Sequence, residues 1–404
     1  MKMADDMHEV KNKVCDMVLK RMDFTDELSE NEIFKAIDDS ITAIPERTNF
    51  TLDEILSLRK EVYNSIKRYD VIQEFLDDEE VSEIMINGTE AVFVERSGVL
   101  YKTDKVFSSK EKLEDVIQQM VGACNRTVNE AYPVADARLL SGERINIVLS
   151  PVALNGPIVT IRRFPKTPIT MEKLIEFGSL TKEAAEFLKT LVRAKYNIFI
   201  SGGTGTGKTT FLNALSMFIP SDERIITIED SAELQMIGAK NLVRLETRNK
   251  NTEGCLPIEI RDLIKAALRM RPDRIIVGEV RGAEAVDMLQ AMNTGHDGSL
   301  STGHANSSAD MIARLETMVL CGMDIPIYAI RGQIAGGIDI MVHLSRLRDR
   351  KRVVSEISEV ESFEGGEVKL NCIYRYEGGA LTRVGNLKHT GKLEDLKENG
   401  LQDL

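Results

Sequence analysis

Eight residues, Gly202-Gly203-Thr204-Gly205-Thr206-Gly207-Lys208-Thr209, have the types and spacing of a phosphate cradle, GxxxxGK[ST], and Thr210 follows them. Glycines let successive backbone N–H groups converge on phosphate oxygens with no Cβ in the way. A helix starting at the motif adds its partial positive charge. Lys208 would neutralise β and γ phosphates, and Thr209 would offer its hydroxyl to Mg²⁺. At average composition the pattern arises by chance in roughly 1–2% of chains this long. Its context fits as well. An apolar strand, Asn197–Ser201, enters it, and Phe211, Leu212, Leu215 and Phe218 mark one face of the helix that leaves it.

Two further strands end in acids. Ile225–Ile228 runs into Glu229 and Asp230, with Glu233 soon after, and Ile275–Val277 runs into Gly278-Glu279. Open α/β sheets bind ligands at the C-terminal ends of their strands, so these acids would face a nucleotide. There they would hold Mg²⁺ through water and orient or deprotonate an attacking water. His296 and His304 lie close together in sequence, on Thr294–Asn306. They lack the cysteines, the HExxH pattern or the one-turn spacing of a zinc site. At the end of a short strand, Gly298–Thr302, such polar residues fit a γ-phosphate sensor better. His8, His343 and His389 have no such context and read as structural or solvated.

These residues need a scaffold. After Pro165-Lys-Thr-Pro168 the chain alternates short apolar strands (197–201, 224–228, 274–278) with helices, the mark of a parallel α/β sheet covered on both faces. Residues 353–360 and 367–376 read as a closing hairpin around Gly365-Gly366. Before the prolines, 82–87, 91–96 and 99–102 alternate apolar and polar residues, with a helix near 112–124 and strands at 144–149 and 158–163. Residues 1 to about 68 carry apolar residues at helical spacing, such as Val14, Met17 and Val18, or Ile55, Leu58, Val62 and Ile66. Helices and a mobile acidic arm both fit that stretch. The expected division is an acidic helical segment (1–68), an α+β domain (69–164), a linker (165–176) and a P-loop domain (177–404).

The 404 residues hold 52 Lys and Arg against 64 Asp and Glu, a net charge of −12. Residues 1–80 hold 11 Lys and Arg against 21 Asp and Glu, so −10 of that charge sits there. This balance argues against binding DNA or anionic lipid through bulk charge. Five dispersed cysteines (15, 124, 255, 321, 372) with no CxxC read as free thiols of a reducing compartment. There is no apolar run of membrane-spanning length, and the N-terminus is acidic where a signal peptide is apolar. A cytoplasmic protein is expected.

Residues 80 to about 345 resemble the secretion ATPase superfamily of type II and type IV secretion and type IV pilus systems. The CpaF/TadA branch of Flp/Tad pilus assembly is similar in wording. Four signatures carry the resemblance: GGTGTGKTT (202–210), ITIEDSAEL (226–234), RIIVGEVRG (274–282) and TGHDGSLSTGHAN (294–306). LVRLETRNKNTEG (242–254) and ALRMRPDRIIVGEVRGAEA (267–285) add to it. The resemblance implies a RecA-like ATPase domain behind a small α+β domain, ATP and Mg²⁺ as ligands, and a homo-hexamer that drives an integral membrane platform protein. It implies Glu279 as the water-activating glutamate, Glu229 and Glu233 as supporting acids, Lys208 on the phosphates and His304 near the γ-phosphate. Thr209, Glu229 and Glu279 would serve the metal. Arginines of the α+β domain would complete the site, with Arg138, Arg144, Arg162 and Arg163 as candidates; each fits equally well as a solvated or ion-paired surface residue. Arg269, Arg271 and Arg281 flank Glu279 and would sense a neighbouring subunit. Two departures, Leu140-Ser-Gly142 and Gly303 before His304, remove no chemical group. The four-cysteine zinc module of some type II ATPases is missing. A VirB11-like ATPase moving protein or DNA is the alternative system; direct nucleic-acid binding is not expected.

Overall fold

The computed structural model describes residues 2–22, 29–96, 98–124, 126–163, 168–248 and 256–398. Pro165-Lys166-Thr167 of the expected linker and Cys255 lie outside them. The chain divides into two compact units, residues 1–166 and 167–404.

In the first unit, helices α1 (Lys2–Arg21), α2 (Glu30–Ala43) and α3 (Leu52–Lys67) pack around Val14, Val18, Ile37, Ile41, Leu58 and Val62. Capping boxes start two of them. Ser29 and Glu32 exchange side-chain and backbone hydrogen bonds at α2, and Thr51 and Glu54 do so at α3. A short helix, α4 (Gln73–Asp77), leads into β1 (Val81–Asn87), β2 (Ala91–Arg96) and β3 (Val99–Lys102). Then come α5 (Lys110–Ala123), β4 (Val134–Arg138), β5 (Arg144–Val148) and β6 (Ile158–Arg162). The six strands form one antiparallel sheet in the order β3-β2-β1-β6-β5-β4. Alternation along β1 turns Ile84 and Ile86 into a core that α5 closes with Leu113, Val116, Ile117 and Met120.

The division expected at residue 68 is bridged. Lys11 Nζ on α1 lies 2.7 Å from Asp70 Oδ1, ahead of the sheet, with both side chains almost fully buried. Lys112 Nζ of α5 donates to the Ser65 carbonyl at 2.7 Å.

The second unit begins with α6 (Met171–Glu176), where a linker was expected. Thr170 caps it, and Met171 and Leu174 enter the core. Then follow α7 (Lys182–Arg193), β7 (Ile198–Gly202), α8 (Lys208–Ser216), β8 (Arg224–Glu229), β9 (Asn241–Glu246), α9 (Ile260–Ala267) and β10 (Arg274–Val280). Next are α10 (Glu284–Asn293), β11 (Leu300–Gly303), α11 (Ser308–Gly322), α12 (Ile327–Gly337) and β12 (Ile340–Arg346). The last elements are β13 (Arg352–Glu364), β14 (Glu367–Glu377), β15 (Ala380–Arg383) and α13 (Gly391–Glu398). The sheet order is β15-β14-β13-β12-β7-β11-β10-β8-β9. Strands β12 to β9 in that order run parallel, and β13 to β15 extend the sheet antiparallel. Ile198 and Ile200 of β7 enter one core and Phe199 the other, so helices cover both faces, as the apolar runs imply. At the far end of β10 from the phosphate loop, fully buried Arg274 pairs with Glu223. Among the described residues no helix is long and apolar enough to cross a membrane. Four cysteines, 15, 124, 321 and 372, are free thiols.

Removing one partner of a buried ion pair strands the other charge. Lys11→Met should lower the unfolding free energy by roughly 3 kcal/mol in urea denaturation. Lys11→Met combined with Asp70→Asn should recover part of that loss; equal losses in the single and double variants would contradict a stranded Asp70 charge.

Candidate active site

The site is built where β7, β11, β10 and β8 end. Gly207, at φ +92°, turns the chain into α8, a conformation that strains any residue with a Cβ. The turn sets Lys208 at the first position of the helix, 8% exposed. Its Nζ donates to the Gly203 carbonyl at 3.1 Å and lies 3.1 Å from His304 Nδ1. Burial lowers the lysine's pKa, against the pull of Glu279. Thr206 Oγ1 donates to the Gly203 carbonyl, and Arg352 Nε of β13 donates to the Gly205 carbonyl, both at 2.9 Å. Thr209 stands half-buried in the first turn of α8, and Thr204 is exposed at the tip of the loop.

β11 lies beside β7 and delivers His304; β10 lies beside β11 and delivers Glu279. His304 Nε2 is 2.8 Å from Glu279 Oε1. Burial and the Lys208 charge lower the pKa of the imidazole. Glu279 Oε2 accepts from Arg281 Nη2 at 2.6 Å, and Arg281 also reaches Asp230 at 3.6 Å. Lys208, His304, Glu279 and Arg281 thus form one connected line. Thr302 Oγ1 ties β11 to β10 through the Gly278 carbonyl at 2.7 Å.

Glu229 ends β8 and is 3% exposed. Its Oε2 accepts from the backbone N–H groups of Glu233 and Leu234 at 2.6 and 2.7 Å. Its Oε1 is buried without a hydrogen-bond partner. Burial pushes the carboxyl up to about 7, although both N–H groups oppose that. A Cβ on Gly278 would stand 3.0 Å from Glu229 Cγ, so the glycine before Glu279 gives Glu229 its room. A Cβ on Gly303 would likewise meet Met311 and Phe199 at 3.0 Å, so this packing suits a glycine there.

Other sequence candidates lie elsewhere. His296 precedes β11 and His304 follows it, so the two stand at opposite ends of that strand; no group of described residues could hold a metal through His, Cys, Asp and Glu alone. Arg269 and Arg271 are exposed where β10 begins, the opposite end from the phosphate loop. Arg138, Arg144, Arg162 and Arg163 belong to the first unit. Arg138 and Arg144 face each other across β4 and β5, and Arg138 Nε donates to the Gly142 carbonyl at 3.0 Å. Arg162 pairs with Glu83 at 3.0 Å. Arg163 donates to the carbonyls of Phe75, Asp78 and Val81.

Sequence reasoning passed over three features. Arg352 sits on the phosphate loop. A cavity of about 240 Å³ beside the loop is lined by Thr206, Thr210 and Arg352 and walled by Ile169, Phe177 and Val353. His343 of β12, read as structural or solvated, is buried with its Nδ1 2.8 Å from Ser201 Oγ. Their only sequence signals were a basic run, Arg346–Arg352, and a polar residue inside an apolar strand.

A carboxyl whose pKa is raised by folding binds its proton more tightly in the native state. Stability is therefore lost as pH rises from 4.5 to about 7. Glu229→Gln should gain on the parent across that window, by on the order of 3 kcal/mol at its upper end. Urea titrations at pH 5, 6 and 8 measure the gap; one that does not change with pH would contradict it.

A family model described as Type II/IV secretion system protein matches residues 66–362, well over half of the chain. An uncharacterized protein of Methanocaldococcus jannaschii is 39% identical over 306 residues, a match covering 74% of this chain and 40% of that protein. The chain therefore spans less than half the length of that relative. The type IV secretion system protein VirB11 of Brucella suis is 33% identical over 301 residues, 68% of this chain and 83% of that one. Among solved structures, the Legionella pneumophila ATPase DotB is 24% identical with a TM-score of 0.52, over 72% of this chain and 80% of that chain. That likeness is one of fold, a RecA-like parallel α/β domain that follows a smaller α+β domain in the chain. The matched span takes in the phosphate loop, both acid-bearing strands and His304, and the chain belongs to the type II/IV secretion system protein family.

Proposed function

We propose that the chain hydrolyses Mg²⁺-ATP and works as a homo-hexameric motor for a type II or type IV secretion or pilus apparatus. The observation that carries this reading is the unbroken line from Lys208 through His304 to Glu279 and Arg281. The glycine loop and Lys208 bind the phosphates. The cavity beside the loop, with apolar walls and an arginine, suits the base and sugar. Glu279 takes the proton of the attacking water, and His304 stands between that carboxylate and Lys208, where the γ-phosphate would lie.

The residues present also fit a magnesium ion. The hard oxygen donors are the Thr209 hydroxyl, Glu279 and the unpartnered Oε1 of Glu229. When bound, the ion supplies positive charge against the charge that builds on the phosphoryl oxygens. Glu233 supports the arrangement through its N–H to Glu229. Arg281 holds Glu279 and is the arginine best placed to respond to a neighbouring subunit. Arg138, Arg144, Arg162 and Arg163 all stay candidates for completing a site; Arg163 is engaged by three carbonyls, Arg138 by the Gly142 carbonyl and Arg162 by Glu83.

Two systems fit. The wording of the motifs favours assembly of an Flp/Tad pilus, and the name of the Brucella relative favours type IV secretion. In both, the protein would work in the cytoplasm and reach the membrane through an integral platform protein. The acidic helices of residues 1–68 are a candidate contact, without direct binding of nucleic acid.

Glu279→Gln should lower kcat for ATP by at least about 100-fold, the usual scale for losing a general base. Phosphate release from the full chain measures it; undiminished turnover would overturn the assignment.

A further inference from the structure

We propose that His343 is a positioning residue for ATP turnover, tying the strand that enters the phosphate loop to the segment that carries His304. The inference rests on the ATPase reading above. Three residues form a row across three neighbouring strands. His343 of β12 pairs in register with Ser201 of β7, and Ser201 pairs with Gly303 of β11. Ser201 is the residue before Gly202, and Gly303 is the residue before His304. The row therefore lies one step below both reactive loops.

His343 and Ser201 are 6% and 0% exposed. The imidazole Nδ1 lies 2.8 Å from Ser201 Oγ, and the backbone carbonyl of Asn306, two residues beyond His304, stands close enough to the ring to favour its protonated form. Two ring nitrogens suffice for these two partners. This ring links two loops that follow different strands, and both loops hold groups that touch Lys208.

The surroundings keep the ring in its neutral form at pH 7. Burial lowers its pKa and Lys208 adds to that, while Glu356 of β13, the Asn306 carbonyl and Asp310 of α11 raise it. The neutral ring donates through one nitrogen and accepts through the other, so it serves a hydroxyl and a carbonyl together. Losing the link lets His304 drift relative to Lys208 without removing either group. Displacements of about 1 Å at such sites cost on the order of 100-fold in rate.

The test is steady-state ATP hydrolysis by the full chain carrying His343→Leu, His343→Gln or Ser201→Ala, with a thermal melt for each. His343→Leu should lower kcat by roughly 10- to 100-fold while KM for ATP stays within about threefold. Ser201→Ala should lower kcat in the same sense but less. His343→Gln, which restores a donor toward Asn306, should recover most of the loss. Combining His343→Leu with Ser201→Ala should be little worse than His343→Leu alone. If His343→Leu does not fold, Ser201→Ala and His343→Gln decide the matter. Unchanged kcat in the folded variants overturns the inference, as does a KM that rises in step with the loss. A glutamine variant as impaired as the leucine variant also overturns it. A parent chain that hydrolyses no ATP overturns the ATPase reading and the inference with it; an active parent with an equally active His343→Leu variant overturns the inference alone.

Discussion

The Lys208 ammonium is held at the C-terminal edge of a sheet whose two faces are apolar. A cation with so little exposure needs partners within a few ångströms, or burial drives off its proton. The Gly203 carbonyl and the His304 ring supply them. Neither can be local luck. The carbonyl depends on the left-handed turn at Gly207, and the ring depends on β11 lying next to β7. Strand order then becomes the order of the site: β7 brings the lysine, β11 the histidine, β10 Glu279 and β8 Glu229. Because both faces of β7 are packed, none of these neighbours can slide without opening one of two cores.

The two central acids are kept chemically distinct by their surroundings. Glu279 ends a strand in contact with the Arg281 guanidinium cation and the His304 imidazole. Glu229, on the neighbouring strand, is sealed in, gives one oxygen to two backbone N–H groups, and has a pKa near neutrality. Gly278 reconciles them, since it lets the backbone that bears Glu279 pass against the Glu229 side chain. Acids with separated environments suit a site that must accept a proton at one carboxyl while the other stays out of that exchange.

Much of this was legible in the sequence, and the reasons for the rest are physical. The phosphate loop announced itself because its glycines, lysine and threonine are contiguous, and strands 198–202, 224–229 and 274–280 because both faces are buried. β12 was missed: its apolar run is interrupted by His343, whose partners Ser201 and Asn306 are far away in sequence. Arg352 is one cation in a basic run, and nothing local says that β13 folds back over the loop. The pairing of His296 with His304 in sequence was misleading, because a four-residue strand carries them to opposite ends. In the first unit, the Ser29/Glu32 and Thr51/Glu54 capping boxes follow the S/T-x-x-E spacing, a local signal that sequence reasoning did not use. The buried Lys11–Asp70 pair has no such signal, since it joins residues 59 positions apart.

The central claim is that Lys208, at the head of α8, holds the phosphates of ATP. Equilibrium titration of the full chain with Mg²⁺-ATP, followed by calorimetry, tests it most directly. The account predicts that the parent binds and that Lys208→Ala loses affinity by about 100-fold or more, the scale of a charge-assisted contact to phosphate. Equal affinity in parent and Lys208→Ala would contradict it.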